Sequence, residues 1–279
     1  MNKIPRFGAH LPIGKGLKHT ADEAIARGLE VLQIFIRNPR GSGARKLTEE
    51  EVEYFAKTLK EHNINPVIVH IPYVCNPAAV KDDLYEFARQ VVIEDLERCS
   101  LIGADYLVLH PGNYTKSTVE QGIERTAGLI NSIIDSYKGN VTICLETMSG
   151  QGSEIGKDFT ELNRILELIN NKEQVGICLD TCHVFAAGYD VATREGIINV
   201  LAEIDKSFGR KAIKLIHCND SQKELGSKHD RHAHIGDGFI GLSGFNNLIN
   251  NEFFRDLPFI LETPLTGIDR DIATLKSLR

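Results

Sequence analysis

The segment Gly176-Ile-Cys-Leu-Asp180-Thr-Cys-His183-Val-Phe-Ala-Ala-Gly-Tyr-Asp190 closes an apolar run on a carboxylate and adds an imidazole three residues later. A short strand there would deliver both groups to one place at its C-terminal end, which is metal-ligand chemistry. One such pair is weak, because Asp after a strand is more often a helix cap and a nearby His is usually an ordinary hydrogen-bonded side chain. Repetition changes the balance: further apolar runs close on His70, His110, Glu146, His217 and Glu262. The stretch from His217 to Phe239 adds Asp230 and His232, two residues apart, which in an extended segment face one side and can share an ion. Its bland reading is a polar surface loop, but the ring of candidate ligands elsewhere puts the metal reading ahead.

The inventory is five histidines (His70, His110, His183, His217, His232) and four carboxylates (Glu146, Asp180, Asp230, Glu262). One ion uses three or four protein ligands, so nine ligands, with a carboxylate able to bridge, suit three ions. Mixed imidazole and carboxylate ligation without thiolate fits Zn²⁺ and also Mn²⁺ or Fe²⁺, so spacing leaves the metal open. Four carboxylates against three divalent ions leave the centre about two charges positive, a site that attracts a phosphodiester.

These groups need elements to position them. Strand-like segments begin near Phe7, Val31, Pro66, Asp105, Val141, Val175, Ala212 and Pro258, each followed by a longer amphipathic stretch. Capping-box spacing at Thr20 to Glu23, Thr48 to Glu51, Ser117 to Glu120 and Asp158 to Glu161 predicts helix starts. Eight β-then-α alternations with nearly continuous apolar strands predict an α/β fold, a single (β/α)₈ TIM barrel over residues 1–279 with its site at the C-terminal strand ends. A doubly wound open sheet is the alternative, but only closure gathers the ends of strands three to eight around one centre. His10, at the end of the first run, is as consistent with a residue that orients ligands as with a ligand. The loop Arg37-Asn-Pro-Arg40-Gly-Ser-Gly-Ala-Arg45-Lys46 reads as a solvated loop or, more sharply, as a phosphate-contacting one in which Arg40 inserts or clamps.

Composition sets outer bounds. The chain has 279 residues and 42% hydrophobic content, and no apolar run approaches a membrane span. No secretory h-region follows Met1, so a cytoplasmic protein is expected. Six cysteines form neither a dense disulfide framework nor paired C-x-x-C motifs, and reduced thiols are expected. Cys144 and Cys178 read as core residues, and Cys218 should point away from His217 because strand neighbours face opposite ways. The formal charge of −6 argues against an anionic partner when taken bare, but three divalent ions would cancel it at one place.

The chain resembles the endonuclease IV family of apurinic/apyrimidinic endonucleases from Phe7-Gly-Ala-His10 to Leu261-Glu262-Thr-Pro. The most specific matches are Leu145-Glu146-Thr-Met-Ser-Gly-Gln-Gly152, Gly176 to Asp190, and Asp230-Arg-His232-Ala-His-Ile-Gly236. The resemblance implies three zinc ions: His70 and His110 on the first, Asp180, His217 and Glu262 on the second, Glu146 bridging that pair, and His183, Asp230 and His232 on the third. It further implies hydrolysis of duplex DNA on the 5′ side of an abasic nucleotide by a hydroxide held between two ions, leaving a 3′-hydroxyl and a 5′-deoxyribose phosphate. Glu146 and Glu262 would be the catalytic carboxylates, Glu262 also assisting proton transfer. Arg40, Tyr73 and Arg231 would contact DNA. The sequence departs from the family pattern at Pro12, Val74, Cys75-Asn-Pro and Ala233. A monomer without an obligate protein partner is expected.

Other functions compete. Glu146, Asp180, His217 and Glu262 alone also resemble the metal set of xylose isomerase-like sugar isomerases and epimerases, which would leave five candidate ligands without a use. An ultraviolet-damage endonuclease shares the barrel but not the full Asp180-Thr-Cys-His183 segment. A nucleic-acid-binding barrel with structural metals is a non-enzymatic reading, disfavoured because structural zinc sites are closed and usually rich in Cys.

Overall fold

In the computed structural model, which describes residues 4–39, 41 and 43–279, eight apolar runs become parallel strands. They are β1 (Arg6–Leu11), β2 (Val31–Phe35), β3 (Val67–His70), β4 (Tyr106–Leu109), β5 (Thr142–Glu146), β6 (Val175–Asp180), β7 (Ile213–His217) and β10 (Pro258–Leu261). Each pairs with its neighbours, and β10 closes onto β1 to complete a barrel. The short strands β8 (Asp220–Ser221) and β9 (His232–Ala233) pair antiparallel in the connection between β7 and β10.

The strand period of two separates the inside of the barrel from its wall. Inward positions carry Val31, Ile68, Val108, Cys144, Cys178, Leu215 and Ile260, which pack as a separate buried cluster and plug the barrel. Two residues further along the same faces come Gln33, His70, His110, Glu146, Asp180, His217 and Glu262. The apolar plug is therefore the floor on which the polar side chains stand. Gly8 is required where β1 meets β2, since a Cβ there would lie 1.9 Å from the Val31 carbonyl oxygen.

Outward strand residues pack against the helices in the larger core, with Phe7, Phe55, Phe245, Phe254 and Phe259 fully buried. Among the described residues the helices are α1 (Leu17–Ala26), α2 (Glu49–Glu61), α3 (Asp82–Ile102), α4 (Val119–Ile134), α5 (Phe159–Leu168), α6 (Thr181–Ala187), α7 (Arg194–Lys206), α8 (Gly241–Ile249) and α9 (Ile268–Leu278). None is long and apolar enough to cross a membrane.

Thr48 and Glu51 form the expected capping box at α2. Asp158 caps α5 by accepting from Glu161 N, but the Glu161 carboxylate turns to Gly156 N instead of closing a box. Two expected starts are corrected. α1 begins at Leu17 with Gly16 as cap, so Thr20 lies inside it and its hydroxyl donates back to Pro12 O and Gly16 O. At α4 the cap is Thr118, one residue beyond Ser117, and it accepts from Gln121 N.

Candidate metal centre

β3 to β7 and β10 end on one rim, and the residues at or just past those ends converge. Donor atoms of His70, His110 and Glu146 lie within 4.8 Å of one another, as do those of Glu146, Asp180, His217 and Glu262, and those of His183, Asp230 and His232. Together these groups take in every one of the nine candidate ligands. Glu146 belongs to two of them: its Oε2 lies 3.1 Å from His70 Nε2 and 3.2 Å from His110 Nε2, while its Oε1 lies 3.1 Å from His217 Nδ1. A carboxylate with each oxygen facing a different histidine group has the geometry of a bridge.

Outer hydrogen bonds decide which ring nitrogen faces inward. A carbonyl only accepts, so His70 Nδ1 donates to Ile71 O at 2.7 Å and His183 Nδ1 to Thr147 O at 2.8 Å. Both rings then present Nε2. His183 Nε2 and His232 Nε2 are buried, make no hydrogen bond, and stand 3.3 and 3.2 Å from the two oxygens of Asp230. Buried polar atoms normally find partners, and two orphaned nitrogens converging on one carboxylate fit a cation among them.

Asp180 reaches the centre through the helix that follows it: it caps α6, its Oδ1 accepts from His183 N at 2.7 Å, and its Oδ2 accepts from Asn219 Nδ2 at 2.7 Å. The first turn of α6 places His183 on the same side as Asp180, three residues on. Asp230 and His232 arrive on the β8–β9 hairpin, which Asp220 braces by accepting from the backbone N–H of Gly236, Gly238 and Ile240.

The imidazoles and carboxylates of the centre set one another's proton affinities. Burial would lower the His217 pKa, but Glu262 and Glu146 beside it push it up to about 9. His183 likewise lies well above its ordinary value, with burial overridden by Asp180, Asp230 and Glu146. Burial opposes ionisation of Glu146, yet His217 and His110 hold it well below the ordinary range, and Asp230 and Glu262 are held low by their histidines in the same way. Asp180 differs: burial raises it.

Around the centre, Tyr73 is 63% exposed and its ring lies over the site, 5.8 Å from both His70 and His110 and 5.5 Å from Phe35. Arg231 is exposed between two candidate ligands. Arg40 lies outside the described residues. His10 stands beside Glu262, with Nδ1 3.5 Å from Oε1, and is in none of the converging groups. Cys182 comes near Asp180 and His232, but burial and the Asp180 charge push its thiol up to about 12, and its S–H donates to Arg231 O at 3.6 Å.

The basic loop is anchored more firmly than its sequence suggests. Arg37 is buried, donating to Asp95 at 2.7 Å and Glu94 at 2.9 Å on α3, so its charge is neutralised inside the protein. Arg98 donates to Ile36 O and Arg45 O, tying together the two ends of the loop. Two buried amides, Gln33 and Asn219, also enter the site without having been singled out in the sequence. The signal for Gln33 was there: a polar residue on the inward parity of an otherwise apolar strand.

Residues 21–278 match the family model described as a xylose isomerase-like TIM barrel. The chain is 40% identical over 275 residues to a probable endonuclease 4 of Halothermothrix orenii, covering 98% of this chain and 99% of that one. It is 44% identical over 262 residues to a probable endonuclease 4 of Chloroflexus aurantiacus, covering 94% of this chain and 92% of the relative. Among solved structures, endonuclease IV from Thermus thermophilus superposes with a TM-score of 0.85 at 34% identity, covering 99% of this chain and 98% of that one. A D-tagatose 3-epimerase-like protein superposes at 0.73 with 17% identity, covering 98% of this chain and 96% of that one, a likeness of fold alone.

Proposed function

The chain belongs to the endonuclease IV family of DNA-repair AP endonucleases, and on that premise we propose that it hydrolyses the phosphodiester 5′ to an abasic nucleotide with three zinc ions. The products would be a 3′-hydroxyl and a 5′-deoxyribose phosphate. The observation that carries this reading is the convergence of nine donor side chains at one rim, where three groups within ligating reach take in all nine and Glu146 joins two of them. His70, His110 and Glu146 would hold one ion, Asp180, His217, Glu262 and Glu146 the second, and His183, Asp230 and His232 the third. Zinc is the expected metal from the family, and the donor set itself would accept Mn²⁺ or Fe²⁺.

Bound ions would supply an acidified water and positive charge for the phosphoryl oxygens. The chain's own side chains hold the geometry. Glu146, 1% exposed, keeps its two oxygens apart on two histidine groups, so its charge is fixed between them. Glu262, at 12% exposure, stands at the open edge with Oε2 3.1 Å from His217 Nδ1, and on this reading would take a proton from the attacking water. These two are the proposed catalytic carboxylates. A carboxylate held this far below its usual range is a weak base, so proton acceptance at Glu262 would be transient.

Reaching a sugar inside a duplex requires extrusion, which is cheapest where a base is already missing. The exposed Tyr73 ring, backed by Phe35, would fill the space left in the stack, while Arg231 and Arg40 would meet phosphates. On this reading the partner is duplex DNA containing abasic sites, and a cytoplasmic monomer is the expected state.

The group Glu146, Asp180, His217 and Glu262 by itself would serve a sugar isomerase. That reading leaves His183, Asp230 and His232 gathered for nothing. Incubation with a duplex holding one tetrahydrofuran abasic analogue should give a single chelator-sensitive nick on its 5′ side. An intact duplex after zinc loading would overturn the proposal.

A further inference from the structure

β1 and β2 contribute none of the nine candidate ligands, yet β2 sends one polar side chain into the centre. Gln33 is fully buried and follows the plug residue Val31 by two, so it shares the inward face. Both ends of its amide are used. Oε1 accepts from His217 Nε2 at 2.9 Å, and Nε2 donates to Glu262 Oε1 at 2.7 Å and to His10 Nδ1 at 3.0 Å.

The chemistry of an amide makes this arrangement directional. Its oxygen only accepts, so His217 Nε2 must carry a hydrogen and Nδ1 is the nitrogen left to face the carboxylates. Nδ1 lies 3.1 Å from both Glu146 Oε1 and Glu262 Oε2 and 3.9 Å from Asp180 Oδ2. His70 and His183 are oriented by main-chain carbonyls, which no side-chain substitution removes. His217 depends on a side chain. The same Gln33 turns Glu262 by one oxygen, and Asn219 Nδ2 approaches the other at 3.4 Å. Packing alone asks only for an apolar group of this volume, and a buried amide is costly unless it is bonded at both ends.

We infer that Gln33 is a positioning residue for the hydrolysis, fixing the ring of His217 and the carboxylate of Glu262 as joint ligands of the second ion; the inference rests on the three-ion reading above. Residues that orient metal ligands typically change affinity by ~10–100-fold when removed. The test is zinc titration of chelator-treated protein by calorimetry, comparing wild type with Gln33→Met, which keeps the volume, and Gln33→Glu, which keeps an acceptor for His217 but loses the donor to Glu262.

Wild type should take up three ions, and Gln33→Met should take up one of them roughly 10–100-fold more weakly with the other two unchanged. Gln33→Glu should fall between, and at limiting zinc the Met variant should lose kcat while KM for the abasic duplex stays. Three wild-type affinities in both variants would overturn the inference, and so would equal weakening of all three ions, which marks a general structural role. Fewer than three ions on wild type would sink the three-ion reading and take the inference with it.

Discussion

Stripping the centre of metal should reveal a proton-linked stability whose sign and size follow from His217. Its pKa in the folded metal-free protein is about 9, against an ordinary 6.5, because Glu262 and Glu146 override its burial. The folded chain therefore binds this proton more tightly than the unfolded chain. The resulting stabilisation is fully present below ~6.5 and is lost as pH rises through about 9. At ~1.36 kcal/mol for each tenfold in proton affinity, the contribution is about 3 kcal/mol. Glu146, Asp230 and Glu262 act in the opposite sense: held low, they contribute above ~4 and lose that contribution only in strong acid.

Urea unfolding of chelator-treated protein should thus give its highest stability at roughly pH 5–6.5 and a fall on the way to pH ~9, of which His217 supplies about 3 kcal/mol while His183 and His232, raised likewise, add in the same direction. Zinc reverses the trend, because a ligating imidazole must be neutral and the proton must leave. Zinc affinity should rise by up to tenfold per pH unit between ~6.5 and ~9, with proton release on binding. A metal-free stability that is flat or rising over that range would refute the electrostatic account of the centre.

Other perturbations separate the parts of the site. Glu146→Gln removes the bridging charge and should abolish cleavage of an abasic duplex while leaving the ion at His183, Asp230 and His232; near-normal turnover would contradict the bridge. Arg40→Ala should weaken DNA binding and reduce the salt slope by ~1 while the metal content stays constant, read by binding isotherms over a salt series. Asp95→Ala removes the 2.7 Å partner of the buried Arg37 guanidinium but leaves it Glu94, and should cost ~1.5–3 kcal/mol. That loss would appear as a Tm lowered by roughly 2–4 °C per kcal/mol, again with zinc content unaltered.

The strand period made the centre legible. Each barrel strand starts within one residue of its expected position, and inward parity put the strand-end candidate ligands above the plug. Helix starts were less legible where neighbours compete: at Thr20 a hydroxyl that resembles a cap instead bonds back to Pro12 O and Gly16 O, and at α4 Thr118 outcompetes the adjacent Ser117. The supporting groups were hidden for a different reason. Gln33 meets His217 across 184 residues of sequence and Glu262 across 229, and Arg37 meets Asp95 across 58, contacts that exist only once the barrel has closed. A polar residue in a strand announces that it needs partners but not which ones. Arg37 likewise reads as surface charge until α3 is seen to carry its counter-ions.

The most direct measurement is the metal content of the purified chain by elemental analysis, paired with protein concentration from amino-acid analysis. Three ions per chain are predicted, with all of them lost to chelator together with cleavage of the abasic duplex. One or two ions per chain with no nicking would contradict the account and turn attention to sugar substrates.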